Sequence, residues 1–254
     1  MKKLILILVF HFFAVPLLAQ ASLINLTVSG TVIASYDQNG MLFNQGIGHD
    51  TVVGKSATMT FRYDTTTAPP DYYGGTVTDQ AYYFQTNYGH WVDSQASVDG
   101  KLLDFVVGAG NYENLDTISI YDADLESLTI ADYGRNISNM TDSHGIEKRL
   151  HAYESNYLGL SASLQNFLNT SSLDQTFSLS NGIDGYASLN LFFSEQTCST
   201  SGCTQIYKDG YAYFNLDTVT MTRVASVTTP EPASLALMGM GLAGLGAVRR
   251  RRKA

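Results

Sequence analysis

Cysteine, histidine and basic residues are scarce in this 254-residue chain, and each shortage excludes a class of function. The two cysteines, Cys198 and Cys203, stand in a segment that offers too few ligands for a structural zinc site. The five histidines include no H-E-x-x-H pair, and no G-x-S-x-G segment precedes a helical pattern. The sequence therefore carries no familiar signature of a zinc enzyme or a serine hydrolase.

The few basic residues are concentrated at the two ends of the chain. Seven of the 15 Lys and Arg residues lie there, at Lys2, Lys3 and positions 249–253. The body between the ends keeps eight basic residues against 22 acidic ones, a net charge of −14. Such a body repels nucleic acid and anionic polymers and attracts divalent cations. We therefore exclude nucleic acid as a partner.

The N-terminus has the three regions of a secretory signal peptide. Lys2 and Lys3 precede an apolar run over residues 4–18, and Ala19-Gln20-Ala21 supplies small residues at the cleavage site. We predict a signal helix in residues 1–21, delivery to the secretion machinery and cleavage after Ala21.

The C-terminus, residues 230–254, also has three parts in a fixed order. They are the tripeptide Pro230, Glu231 and Pro232, an apolar run over residues 233–248, and the cations Arg249, Arg250, Arg251, Arg252 and Lys253. The apolar run predicts a transmembrane helix of about 24 Å, which is shorter than the bilayer's hydrocarbon core of about 30 Å. The helix spans the bilayer if the bilayer thins locally and the arginine side chains extend to its surface. The cations act as a stop-transfer signal and keep the end cytoplasmic, which places the body outside.

This order resembles the PEP-CTERM sorting signal of Gram-negative, exopolysaccharide-producing bacteria. The resemblance implies recognition by exosortase, cleavage near Pro230-Glu231-Pro232, and release or re-anchoring at the cell surface. Residues 22–229 would then be one exported domain that is held in the inner membrane only during processing. The alternative is a plain C-terminal membrane anchor.

Period-two patterns dominate the body and predict an all-β fold. Strands are expected over residues 23–35, 52–63, 82–85, 117–121, 127–130, 158–164, 186–193 and 216–224, with one short helix over residues 146–154. Asp99-Gly100 and Asp209-Gly210 each predict a two-residue hairpin turn. This number of strands favours a β-sandwich of jelly-roll type. Residues 28–32, 53–67 and 215–223 also resemble strands of many PEP-CTERM exported proteins, which implies fold only.

Two small groups of residues are candidates for a disulfide bond and for a metal site. In an oxidising compartment Cys198 and Cys203 are predicted to form a disulfide that closes a Ser/Thr/Gly loop. Asp122, Asp124 and Glu126 alternate, so on a strand they would share a face and could hold Ca²⁺, although a solvated acidic turn is the favoured interpretation. We predict no other cofactor.

Aromatic residues cluster between positions 72 and 91, where Tyr72, Tyr73 and Trp91 could stack on sugar rings. The same residues could instead fill the core of a sandwich. The leading hypothesis is a non-enzymatic surface or extracellular-matrix protein of a biofilm, acting among exopolysaccharide. The alternatives are a secreted carbohydrate-binding module and a secreted hydrolase with an unrecognised acid pair.

Overall fold

The computed structural model describes residues 23–38, 40, 43, 46–74, 80–84, 91–103, 111–114, 116–122, 126–141, 146–162, 167–199 and 201–224. The predicted signal helix and the predicted transmembrane helix at residues 233–248 lie outside these residues.

Fourteen strands and no helix occur among the described residues, which confirms the all-β prediction. The strands are β1 (Leu23–Asp37), β2 (Gly48–His49), β3 (Ser56–Asp64), β4 (Gln80–Phe84), β5 (Val92–Val98), β6 (Lys101–Leu103), β7 (Asn111–Asn114), β8 (Thr117–Tyr121), β9 (Glu126–Thr141), β10 (Glu147–Ala162), β11 (Phe177–Ser180), β12 (Gly185–Ser199), β13 (Gly202–Phe214) and β14 (Thr218–Val224).

The strands form one curled antiparallel sheet in which β1 belongs to two layers. The first half of β1 pairs with β14 and β3, and the first layer has the order β11-β14-β1-β3-β5-β6. The second half pairs with β13, and the second layer has the order β4-β8-β9-β10-β12-β13-β1. The register shifts between Val32 and Ala34, where β1 passes from one layer to the other.

Gly30 lies just before this passage and leaves space for the connection between β13 and β14. A Cβ atom on Gly30 would overlap the carbonyl oxygen of Asn215. The backbone of Asn215 donates a hydrogen bond to Thr31 O at 3.1 Å, and the Asn215 side chain accepts one from Thr31 N at 2.9 Å. Glycine at this position therefore lets two chain segments lie in direct contact where the layers meet.

One hydrophobic core fills the space between the layers. The alternation in β1 places Ile24, Leu26 and Val28 inside with no exposed surface, and β9 contributes Leu128 and Ile130 from the other layer. Burial of such side chains supplies roughly 1.5–3 kcal/mol each. The period-two pattern of the sequence therefore identifies the core face correctly.

A polar bridge joins the layers beside this core. The Ser94 hydroxyl of β5 donates to Asp132 Oδ2 of β9 at 2.6 Å, and Asn156 Nδ2 of β10 donates to Ser94 Oγ at 2.8 Å. Asp132 and Asn156 are buried. Buried polar groups need such partners, so the bridge ties β5 to the second layer.

The predicted helix over residues 146–154 is wrong, because this segment is the first half of β10. Its residues Glu147, Lys148, Arg149, Leu150 and Ala152 favour helix. From Glu147 onward the segment nevertheless pairs with β9 on one side and β12 on the other. Two ladders of backbone hydrogen bonds outweigh a local preference of a few tenths of a kcal/mol per residue.

The predicted hairpin turn at Asp209-Gly210 is also wrong. β13 runs through both residues, which pair with Phe192 and Leu191 of the long strand β12. The turn instead lies between Ser199 and Gly202. In contrast, Asp99 and Gly100 have φ values of 52° and 74° between β5 and β6, so the hairpin predicted there is confirmed.

The jelly-roll order expected from the sequence is not confirmed. β8, β9 and β10 are neighbours in chain order, and β12 and β13 continue the same layer as antiparallel neighbours. The described part of the second layer is therefore a meander that curls into the first layer through β1.

Candidate functional site

Buried carboxylates in the body hold backbone amide groups. Asp116 has no exposed surface, and its Oδ2 accepts hydrogen bonds from Trp91 N at 2.7 Å and Val92 N at 3.0 Å. Its carbonyl oxygen accepts another from Trp91 Nε1 at 3.1 Å. Asp116 therefore fixes the start of β5, and this role leaves its Oδ2 engaged inside the protein.

Glu126 of the predicted calcium site has a similar contact. It is buried at the start of β9, where its Oε2 accepts hydrogen bonds from Phe167 N at 2.5 Å and Leu168 N at 2.7 Å. Asp122 is half-buried after β8, and Asp124 lies outside the described residues. Within the described ranges no group of three or more His, Cys, Asp or Glu side chains could hold a metal ion.

The structure joins Cys198 and Cys203 in a disulfide. The two residues face each other across β12 and β13, one pair before the hairpin turn. Residues 199 and 201–207 are exposed, so the bond lies on a hairpin tip outside the core. Its direct effect is confined to the pairing of these two strand ends.

Four aromatic side chains form an edge cluster on β4 and the segment before it, consisting of Tyr72, Tyr73, Tyr82 and Phe84. The Tyr72 ring lies 5.5 Å from the rings of Tyr73 and Phe84, and Tyr82 stacks on Phe84 at 5.0 Å. Tyr72 is 67% exposed and Tyr73 is 37% exposed. Asp71 orders the segment, because its Oδ1 accepts hydrogen bonds from Tyr73 N and Tyr82 N.

Trp91, the third residue of the predicted sugar-binding group, lies elsewhere. Its side chain is 6% exposed and contacts the Tyr63 ring edge-on at 6.1 Å. With its indole N–H bonded to Asp116, it packs as a core residue. The structure therefore brings Tyr72 and Tyr73 together and leaves Trp91 out of the edge cluster.

A second group of aromatic residues crosses the outer face of the second layer, and the sequence analysis missed it. We call it the tyrosine row. In order across β10, β12, β13 and β1, it consists of Tyr157, Tyr186, Tyr213, Tyr211 and Tyr36. Successive ring centroids lie 5.4, 6.3, 5.3 and 5.9 Å apart, and His49 of β2 contacts the last ring at 4.7 Å.

The residues beside the tyrosine row explain its position on the sheet. Tyr211 and Tyr213 alternate with Gly210, Ala212 and Phe214, which are buried on the core side of β13. A pattern of two tyrosines around an alanine, next to a buried phenylalanine, was the sequence signal for this face. The neighbours that complete the row come from strands far apart in the chain.

Gly159 has no side chain, and the Tyr157 ring occupies the space beside it. A Cβ atom on Gly159 would lie 2.9 Å from Tyr157 Oη and 3.1 Å from Tyr157 Cε1. Gly159 and Tyr157 are two residues apart on β10 and therefore share one face. The Tyr157 ring therefore lies next to the bare backbone of Gly159.

A cleft of about 170 Å³ opens beside Tyr63 and Trp91. Arg62, Asp64 and Asp93 contribute its charged groups. The Asp64 Oδ1 atom accepts hydrogen bonds from Thr66 N and Thr66 Oγ1 at 2.8 and 2.7 Å, so it caps its own turn. This volume is below the roughly 300–1,000 Å³ of common ligand pockets.

The residues predicted to direct export lie outside the described part of the chain. They are Ala19, Ala21, Pro230, Glu231, Pro232, Arg249, Arg250, Arg251, Arg252 and Lys253. None of the residues that the structure does describe belongs to a helix long and apolar enough to cross a membrane.

Comparison with known proteins identifies the C-terminal segment. A family model of the PEP-CTERM protein-sorting motif matches residues 228–252. No curated protein and no solved structure matches the chain. The matched residues include Pro230-Glu231-Pro232, the apolar run and the arginines. The chain therefore carries a PEP-CTERM sorting motif near its C-terminus, consistent with an exosortase substrate that is exported to the cell envelope or surface.

Proposed function

We propose that this chain is a non-enzymatic surface or matrix protein that acts among exopolysaccharide after exosortase has processed its C-terminus. The observation that carries the proposal is the sorting motif matched at residues 228–252. The inner membrane would hold the protein only until the tail is removed.

The position of the two terminal signals supports this order of events. β1 begins at Leu23, two residues after the predicted cleavage position Ala21. β14 ends at Val224, and five residues separate it from Pro230. β1 and β14 pair with each other from Leu23 and Val224 onward, so cleavage at both signals leaves every described strand in place.

The use of carboxylates supports a non-enzymatic role. Asp116 and Glu126 are buried and hold backbone amides, and Asp64 caps its own turn. A glycosidase would instead present two carboxyl groups about 5–9.5 Å apart across a sugar-sized groove. A catalytic assay on common glycoside substrates is therefore expected to give no turnover above a buffer control.

Substitution of the tripeptide tests the sorting part of the proposal. Pro230→Ala combined with Pro232→Ala should leave a chain that still ends at Ala254 in the membrane fraction of the native host. The matched control is Pro69→Ala with Pro70→Ala, a second proline pair in a loop of the body. The control should be processed normally. Release of the tripeptide variant with the wild-type mass would contradict the proposal.

The matrix part has a separate test. The processed protein should fractionate with exopolysaccharide in the native host, and it should appear free in the medium of a strain that makes no polymer. Equal distribution in both strains would contradict a matrix role and leave the sorting result unaffected.

A secreted carbohydrate-binding module is the second candidate, and the edge cluster favours it. Tyr72 presents most of its side chain to solvent beside three other aromatic rings. Tyr72→Ala should then weaken retention in a polysaccharide-containing affinity gel. Retention equal to that of the unmodified protein would remove the edge cluster from consideration.

A further inference from the structure

We propose that the tyrosine row binds a neutral polysaccharide by stacking of its sugar rings on Tyr157, Tyr186, Tyr213, Tyr211 and Tyr36. The inference rests on the proposed function for its setting, because it needs polysaccharide outside the cell. It assigns a specific surface that is separate from the edge cluster.

The row has the extent of a polymer site. It crosses four neighbouring strands, and three strand spacings correspond to about 14 Å. The ring contacts are unbroken from β10 to β1. A surface of this length accommodates several consecutive sugar units, whereas a single sugar would cover only one or two rings.

Successive rings of the row are tilted against one another, with interplanar angles of 34°, 48°, 63° and 35°, and all of them except Tyr186 are half-buried. The absence of a side chain at Gly159 lets the Tyr157 ring lie close to the strand. Tyr186 next to it is 45% exposed. Sugar rings carry C–H groups on one side, and these groups pack favourably on the negative face of an aromatic ring.

The surroundings of the row are polar, and Asp209, two residues before Tyr211 on β13, adds a half-buried carboxyl group on the same face. Ser188 lies opposite both Tyr157 and Tyr213, Asn190 lies opposite Tyr211, and Ala34 lies on the other side of Tyr213. Ser188 is buried, whereas Asn190 is half-buried, and an amide group exchanges hydrogen bonds with sugar hydroxyls. Such an amide complements a polyhydroxylated ligand better than a purely apolar one.

The phenol group of Tyr186 remains neutral over the physiological range. Desolvation, followed by the influence of the adjacent Tyr157 and Tyr213 hydroxyls, raises the pKa of Tyr186 above its ordinary value. A neutral hydroxyl both donates and accepts hydrogen bonds, as sugar recognition requires.

Charge selects among the possible polymers. The body has a net charge of −14, which repels uronate-containing chains and nucleic acid. The aromatic faces have no such penalty for an uncharged chain. A neutral glucan or a similar neutral polysaccharide is therefore the ligand class that fits both the rings and the charge.

Binding of defined polysaccharides tests the inference. The processed protein, recovered from its native host, is run through affinity gels that contain soluble neutral glucans, xylan or mannan, with alginate as the anionic comparison. Tyr157→Ala and Tyr213→Ala should each weaken binding roughly two- to tenfold, since aromatic contacts are worth about 0.5–1.5 kcal/mol. Tyr213→Phe keeps the ring and should retain most of the binding.

Two further variants separate the ring surface from the fold. Gly159→Ala displaces the movable end of the Tyr157 side chain and should weaken binding while the domain remains folded. Tyr207→Ala removes an exposed tyrosine of β13 outside the row and should bind as the unmodified protein does. The single tryptophan, Trp91, is buried, so its emission reports the fold of each variant independently.

The outcomes are distinct. Neutral-polymer binding that falls in the alanine variants and in Gly159→Ala supports the inference. Absence of binding to every neutral polymer, equal binding by the alanine variants, or a preference for alginate overturns it. A change in self-association alone would identify the row as a contact between copies and would also overturn it. Normal C-terminal processing of these variants would show that the sorting claim stands independently.

Discussion

Removal of the Asp116 carboxylate should destabilise the body more than removal of any exposed acid. Asp116→Ala deletes the acceptor of two charge-assisted hydrogen bonds, from Trp91 N and Val92 N. Such bonds contribute about 1.5–3 kcal/mol each, so we expect a loss of about 3–6 kcal/mol. A domain of this kind is stable by about 5–15 kcal/mol, and the loss is therefore large.

Denaturant unfolding followed by Trp91 emission measures this loss directly. The indole is buried beside Asp116, and it is the chain's sole tryptophan. Asp116→Asn keeps one acceptor oxygen and should lose about half as much stability. Asp174→Ala is the matched control, because its ion pair with Arg223 is exposed and worth at most about 1 kcal/mol. A loss for Asp116→Ala no larger than the control would refute the assigned role.

Three other substitutions test separate parts of the fold. Tyr63→Phe removes the hydrogen bond to Leu173 O and should cost about 1–2 kcal/mol in denaturant unfolding. Burial raises the pKa of Tyr63, so the neutral phenol stabilises the fold up to about pH 10, and this contribution falls at higher pH. The difference in stability between the unmodified protein and Tyr63→Phe should therefore shrink above about pH 10. An identical dependence of stability on alkaline pH in the two proteins would count against this. Cys198→Ser with Cys203→Ser should increase hydrogen exchange at the hairpin tip and cost at most about 2 kcal/mol, whereas a larger global loss would disagree with the position of the bond. Gly30→Ala places a methyl group against backbone and should cost about 3 kcal/mol or more, and normal thermal stability would contradict the close contact.

Local patterns predicted those parts of the fold that depend on neighbouring residues. The alternation in β1 and β3 identified which side chains face the core, since side chains on a strand point to opposite faces in turn. Asp99-Gly100 predicted a hairpin because both residues tolerate positive φ.

Features that depend on distant strands could not be predicted in the same way. Residues 146–154 and Asp209-Gly210 have local preferences for helix and turn, and both are held in long strands by partners elsewhere in the chain. The tyrosine row combines four strands, so only Tyr211 and Tyr213 were visible as a pair in the sequence. Period-two patterns also do not determine strand order, and the jelly-roll order expected from them is not confirmed.

The candidate functional residues show the same difference between local and long-range features. The sorting motif is contiguous, and its order of tripeptide, apolar run and cations was readable directly. Trp91 was grouped with Tyr72 and Tyr73 by closeness in sequence alone. Its burial follows from contacts with Tyr63 and Asp116, which lie 28 and 25 residues away in the chain.

Intact mass spectrometry of the protein isolated from its native host shows whether the C-terminal tail is removed. We expect a chain that begins at Ser22 and ends close to Pro230, with the apolar run and the arginines removed. A mass that corresponds to a chain ending at Ala254 would contradict it.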